Sequence, residues 1–164
     1  MRRIFALAAL LAVPAVAAAP TSLPRGLCNI ENARYRLIGH EDSATIRFVD
    51  DPKLARQSAL SAALSMKGSN QVRKFTFAAS NGYSTQYLVP VLDKPAEDGE
   101  GTDGLDFYMF NARLEPVELP NPGETAPDYL FVPELGKTLW YGSMNDGARV
   151  MLETGMWRRA ECGK

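Results

Sequence analysis

The sequence predicts an α+β domain, predominantly antiparallel β (a sandwich or partly open barrel of hairpins), with one helix in its N-terminal half. Three observations carry this. Short runs alternating apolar and polar residues recur along the chain, separated by Gly, Asn, Asp and Pro. An Asn-Gly pair, Asn81-Gly82, joins two β-rich runs. One stretch, opening at Asp51-Pro52, carries helix-start chemistry instead.

Residues 1–19 read as a secretory signal. Arg2 and Arg3 charge its start, Ile4 to Val16 is apolar, and Ala15 to Ala19 offers small residues for cleavage. Arg2-Arg3-Ile4-Phe5 also echoes a twin-arginine signal, although a plain charged start is the favoured reading. The apolar run is shorter than the roughly 20 residues a spanning helix needs, and no later run reaches that length. Residues 20–164 are therefore expected to form a single exported β-rich domain, with no membrane insertion after signal removal.

Ala33 to Ile38 is the first predicted strand, with Tyr35 and Leu37 on one face. Thr45 to Val49 returns, with Ile46 and Phe48 sharing a face. From Asp51 as N-cap and Pro52 at the first helical position, a helix is expected to run to Lys67 and stop at Gly68. Its wheel gathers Ala55, Ala59, Ala62, Ala63 and Met66 on one side and serines on the other. Lys74 to Ser80 and Tyr83 to Val89 form the clearest hairpin. A two-residue turn pairs Ser80 with Tyr83, Thr76 with Tyr87 and Phe75 with Leu88, with Phe75 and Phe77 facing the core. Leu105 to Phe110 and Leu114 to Val117 predict a further hairpin. Tyr129 to Val132 reads as a short strand, Thr138 to Ser143 with Ala148 to Glu153 as a last hairpin, and Met156 to Cys162 as the closing strand.

The chain has two cysteines, Cys28 and Cys162. An exported chain meets an oxidising compartment, which favours one disulfide between them. Its geometry requires Cα atoms within about 7 Å, so the first and last strands are expected to be neighbours. Without its signal the chain keeps 16 basic against 19 acidic residues, a net charge of −3. That balance, without a basic run, argues against a nucleic-acid partner.

His40 is the only histidine, in His40-Glu41-Asp42 at a predicted turn. Solvated polar residues are the favoured account of it; a raised imidazole pKa beside a carboxylate is the functional one. No Gly-x-Ser-x-Gly elbow is present, and Gly136-Lys137-Thr138 lacks the first glycine of a phosphate loop. One histidine and two bridged cysteines do not supply a zinc set, and no cofactor is expected. The acidic loop 93–106 offers a weak calcium alternative through Asp98, Glu100, Asp103 and Asp106, although its spacing fails the EF-hand pattern. Tyr83, Tyr87, Trp140 and Tyr141, with Trp157, are the candidates for an aromatic platform that takes a saccharide or a partner protein, although core or cross-strand packing is the favoured account of aromatic residues in strands.

A small exported β domain with a disulfide resembles the periplasmic inhibitors of C-type lysozyme in outline. Their Ser-Gly-x-x-Tyr-like loop has its nearest counterpart in Ser80-Asn81-Gly82-Tyr83-Ser84-Thr85-Gln86-Tyr87. The interval from Gly82 to Tyr87 is too long, so no membership follows.

Three functional readings result. The leading one is an exported, periplasmic or secreted, non-enzymatic binding module of the bacterial cell envelope, taking a protein or glycan through strand edges or loops. The alternative is a small envelope hydrolase using carboxylates or His40. The third is a module stabilised by calcium through loop 93–106. The ligand and the oligomeric state are not specified by the residues.

Overall fold

Alternation decides which side chains enter the interior of this chain. A computed structural model describes residues 27–51, 53, 58–80, 85–91, 104–143 and 149–163. Among them run β1 (Ala33–Leu37), β2 (Ala44–Asp50), β3 (Leu60–Met66), β4 (Val72–Ala79), β5 (Gln86–Pro90), β6 (Leu105–Phe110), β7 (Tyr129–Phe131) and β8 (Met156–Cys162). Each strand pairs antiparallel with the next, and β8 returns to β1, closing a barrel.

The inward set is apolar. Tyr35, Leu37, Ile46, Phe48, Leu64, Phe77, Leu88, Phe107, Met109, Leu130 and Trp157 are all buried in one core. An eight-stranded barrel has an interior just wide enough for side chains to fill, and here aromatic rings fill it. Phe48 stacks on Phe77 with centroids 5.7 Å apart. Phe107 lies 5.6 Å from Phe77, and Tyr35 meets Phe48 edge-on at 5.7 Å. Full burial of each such side chain stabilises by about 1.5–3 kcal/mol. On β1, β2 and β4 the outer face carries Arg34, Arg36, Arg47 and Lys74. No helix among the described residues is long and apolar enough to cross a membrane.

Both ends of the barrel are closed by chain. At the lower end Cys28 joins Cys162 with Cα atoms 5.8 Å apart. Cys28 also accepts the Ala126 N–H on its carbonyl, and Ile30 donates to the Glu124 carbonyl. Arg159 points inward here and is 6% exposed. Its guanidinium donates to Asp128 at 2.7 Å and to the Ala126 carbonyl at 3.0 Å. Beside it the Tyr35 hydroxyl donates to the Pro127 carbonyl at 2.9 Å, and burial pushes that phenol's pKa up. A buried charge is tolerated when paired and hydrogen-bonded in this way. At the upper end α1 (Leu135–Gly142) sends Leu135 and Leu139, one turn apart, into the core. A Cβ at Gly136 would collide with the Leu152 carbonyl oxygen, so this glycine serves close packing.

The expected α+β class, rich in antiparallel strands, is what the chain adopts, but the barrel is fully closed and its helix lies elsewhere. The predicted N-terminal-half helix to Lys67 is β3 over Leu60–Met66. In Leu-Ser-Ala-Ala-Leu-Ser-Met a period of two fits as well as a helical one, and complete ladders to β2 and β4 decide it. Pro52 and residues 54–57 lie outside the described residues. Conversely, the strand expected at Thr138 to Ser143 is largely α1, because Leu135 and Leu139 bury one helical face. No strand forms over 149–153, and Leu114 to Val117 gives only a single bridge, Phe110 to Pro116. There Asn111 Oδ1 accepts the Arg113 and Glu115 N–H groups and holds a turn. The β4–β5 register pairs Phe77 with Leu88 and Ala78 with Tyr87, two residues away from the expected pairing. An even shift keeps every side chain on its face. The turn residues 81–84 lie outside the described residues, while Ser80 N–H still donates to the Thr85 carbonyl. The first and last strands are neighbours as expected, with Ala33 opposite Cys162.

The disulfide spans 134 residues. Replacing both cysteines by serine, or reducing the bridge, is expected to lower unfolding stability by about 2–5 kcal/mol. Paired denaturant melts of the oxidised and reduced chain measure this.

Candidate functional site

The outer face of β5, β6 and β7 holds more aromatic surface than a barrel exterior needs. Tyr87 lies opposite Asp106, Tyr108 opposite Phe131, and Phe110 opposite Tyr129. These six side chains alternate with Leu88, Leu105, Phe107, Met109 and Leu130, which fill the core. The strands are therefore aromatic or apolar on both faces, and only one face is explained by packing inside the barrel.

The geometry of this face is specific. The Tyr108 and Phe131 rings stack with centroids 6.4 Å apart and planes at 30°. Tyr108 is 40% exposed, while Tyr87, Phe110, Tyr129 and Phe131 are half-buried. The Tyr108 hydroxyl lies 3.5 Å from Asp106 Oδ2. The Asp106 charge, followed by partial desolvation, raises the Tyr108 pKa, and Tyr87 adds to the effect. Gly104 makes room for this cluster. A Cβ there would stand 2.8 Å from the Tyr87 Cβ and 3.3 Å from its ring. Among the described residues Asp106 has no basic ion-pair partner.

On the neighbouring strands the charges are matched. Arg36 pairs with Glu161 at 2.6 Å and with Asp42 at 4.0 Å. Arg158 reaches Glu41 at 4.0 Å. Arg36 and Arg158 stand opposite one another, as do Arg34 and Arg47. Like charges in such positions repel, and the surrounding carboxylates offset part of that repulsion.

The sequence-predicted residues divide among several places. Tyr87 and Asp106, singled out for an aromatic platform and for calcium respectively, are cross-strand partners. Trp140 and Tyr141 sit on α1 at the upper end. The Arg149 guanidinium lies 4.7 Å from the centroid of the Trp140 ring, and Tyr141 is 61% exposed. Trp157 is core. Tyr83, Asp98, Glu100 and Asp103 lie outside the described residues. No group of three His, Cys, Asp or Glu side chains arranged for a metal occurs among the described residues.

His40 occupies the β1–β2 turn. Two open recesses lie there, one of about 430 Å³ lined by Gly39 to Ser43 with Lys67 and one of about 390 Å³ lined by Asp42, Ala44, Thr45 and Ser65 to Lys67. The Ser43 hydroxyl donates to the His40 carbonyl at 2.7 Å, so it is directed at backbone rather than at the imidazole. Backbone N–H groups of Glu41 and Gly39 hold the Glu41 carboxyl below the usual range. Neither recess includes a residue of the aromatic face.

Tyr108, Phe110, Tyr129 and Phe131 were not singled out from sequence. The available signal was aromatic residues at both odd and even positions of Asp106 to Phe110, beyond what one buried face requires. No family model, curated protein or solved structure matches the chain.

Asp106→Asn is expected to bring the Tyr108 phenol back towards the ordinary tyrosine value of about 10, with Tyr35 unaffected. A pH titration of assigned tyrosine ring resonances reads Tyr108, while the buried Tyr35 is expected to stay protonated throughout. A Tyr108 titration unmoved by the substitution would contradict the contact described.

Proposed function

We propose that the chain is an exported, non-enzymatic binding module of the cell envelope, and that its partner docks on the outer face of β5, β6 and β7. The observation that carries this reading is the stacked pair of exposed Tyr108 and half-buried Phe131, beside Tyr87 and Asp106 on a barrel whose interior is filled. Tyr is enriched where proteins meet, because it adds large contact area with a polar tip. The Cys28–Cys162 bridge is compatible with an oxidising compartment. A strand-edge mode of binding has no support, because closure pairs every strand on both sides. A protein is favoured over a glycan: the face is built on the outside of a barrel rather than in a cleft, where small ligands are held.

The experiment is quantitative capture from envelope extract by the immobilised oxidised chain. Tyr108→Ala with Phe131→Ala is expected to weaken capture by about thirtyfold, the scale of a 2 kcal/mol interface anchor. Tyr141→Ala should leave it unchanged. Equal capture by the Tyr108 and Phe131 variant, or no partner together with measurable turnover of a substrate, would overturn the reading.

A further inference from the structure

Asp106 is anomalous for an outer-face carboxylate. It stands opposite Tyr87, contacts the Tyr108 hydroxyl, and lies two residues along β6 from the Tyr108–Phe131 stack. No basic group among the described residues neutralises it. Asp50, Glu118, Glu124 and Glu153 also lack one but are exposed, and Glu31 accepts the Gly123 N–H, whereas Asp106 is half-buried among rings. Nothing in the packing of the barrel calls for a half-buried negative charge at this position.

We propose that Asp106, framed by Tyr87, Tyr108 and Phe131, receives a lysine or arginine side chain of a partner protein. The inference rests on the docking face proposed above and specifies what that face recognises. A carboxylate supplies a charge-assisted hydrogen bond to an ammonium or guanidinium. Aromatic rings beside it supply the quadrupole attraction that favours cations over neutral groups. The two terms act on the same incoming group because Tyr87 and Asp106 are held opposite each other on rigid paired strands. Gly104 contributes by its missing Cβ, which leaves the Tyr87 side chain its place against the strand. The same chain already uses this pairing elsewhere, in Arg149 against Trp140. A protein is the stated occupant because the carboxylate and the rings stand on the outer surface of paired strands, where a basic side chain projecting from a protein surface meets both. A protein surface brings its own relief to a flat site, and surrounding rings exclude water from a central ion pair.

The test uses the full exported chain with its disulfide intact and aromatic side chains isotopically labelled. The probes are an end-blocked lysine tripeptide, the same peptide with acetyl-lysine, and glucosamine. The lysine peptide is expected to shift the Tyr87 and Tyr108 ring resonances, and acetyl-lysine to abolish the effect. Asp106→Asn should weaken lysine-peptide binding roughly tenfold. Tyr108→Leu should weaken it also, while Tyr108→Phe, which keeps the ring, should retain it. Core resonances of Phe48 and Phe77 verify that each variant is folded. Equal binding of the acetylated peptide, affinity unchanged in Asp106→Asn, absence of ring shifts, or preferential binding of glucosamine would overturn the inference. The two proposals fail separately. Envelope capture that needs Tyr108 but tolerates Asp106→Asn keeps the docking face and rejects the cation site. Capture indifferent to both substitutions rejects the face itself.

Discussion

Pairing of β8 with β1 converts a row of antiparallel strands into a closed barrel, and most other features follow from that closure. Eight strands set the bore, and strict alternation sends Phe48, Phe77, Phe107, Tyr35 and Trp157 into it. The junction is fastened at its lower end by Cys28–Cys162 and by Arg159, which ties β8 to Asp128 and to the Ala126 carbonyl. Removing one partner of such a buried ion pair generally costs about 3–5 kcal/mol. The arginine therefore belongs to the closure of the barrel rather than to surface chemistry.

Closure also determines where recognition is possible. Rings occupy the interior, and among the described residues every strand is paired on both sides, so the outer face is where side chains meet solvent. On most of that face the chemistry is self-contained: Arg34 and Arg36 share Glu161, Arg158 reaches Glu41, and Lys74 reaches Asp51 at 3.8 Å. The face of β5, β6 and β7 differs, because its rings exceed the needs of the core and its carboxylate lacks a basic partner among the described residues. That contrast within one barrel, rather than any motif, is what the proposed docking on this face rests on.

Some of this was legible in the residues and some was not. The disulfide was legible because two cysteines in a chain expected to be exported leave one pairing, and it correctly made β1 and β8 neighbours. The β4–β5 hairpin was legible from Asn81-Gly82, although its register stands two residues from the one that a two-residue turn at that pair implies. β3 was misread because Leu60 to Met66 is built from Leu, Ala, Ser and Met, small or flexible residues that satisfy either period. The flanking strands, which sequence does not display, selected the extended form. α1 was missed for the converse reason: its apolar residues read as a strand until Leu135 and Leu139 are seen to share a buried face. Tyr87 and Asp106 were each noticed but never connected, because residues 88–105 separate them in sequence and only the β5–β6 register makes them partners. Tyr108 and Phe131 looked like core residues, since aromatic residues in strands usually are.

The central claim is that contact with a partner occurs at the outer face of β5, β6 and β7 and not at the arginine-bearing face of β1 and β2. Site-specific photo-crosslinking in intact cells tests it most directly, with a benzophenone side chain placed at position 108 or at position 47. The account predicts a discrete crosslinked species from position 108 and none from position 47. Crosslinking from position 47 alone, or from neither position, would contradict it.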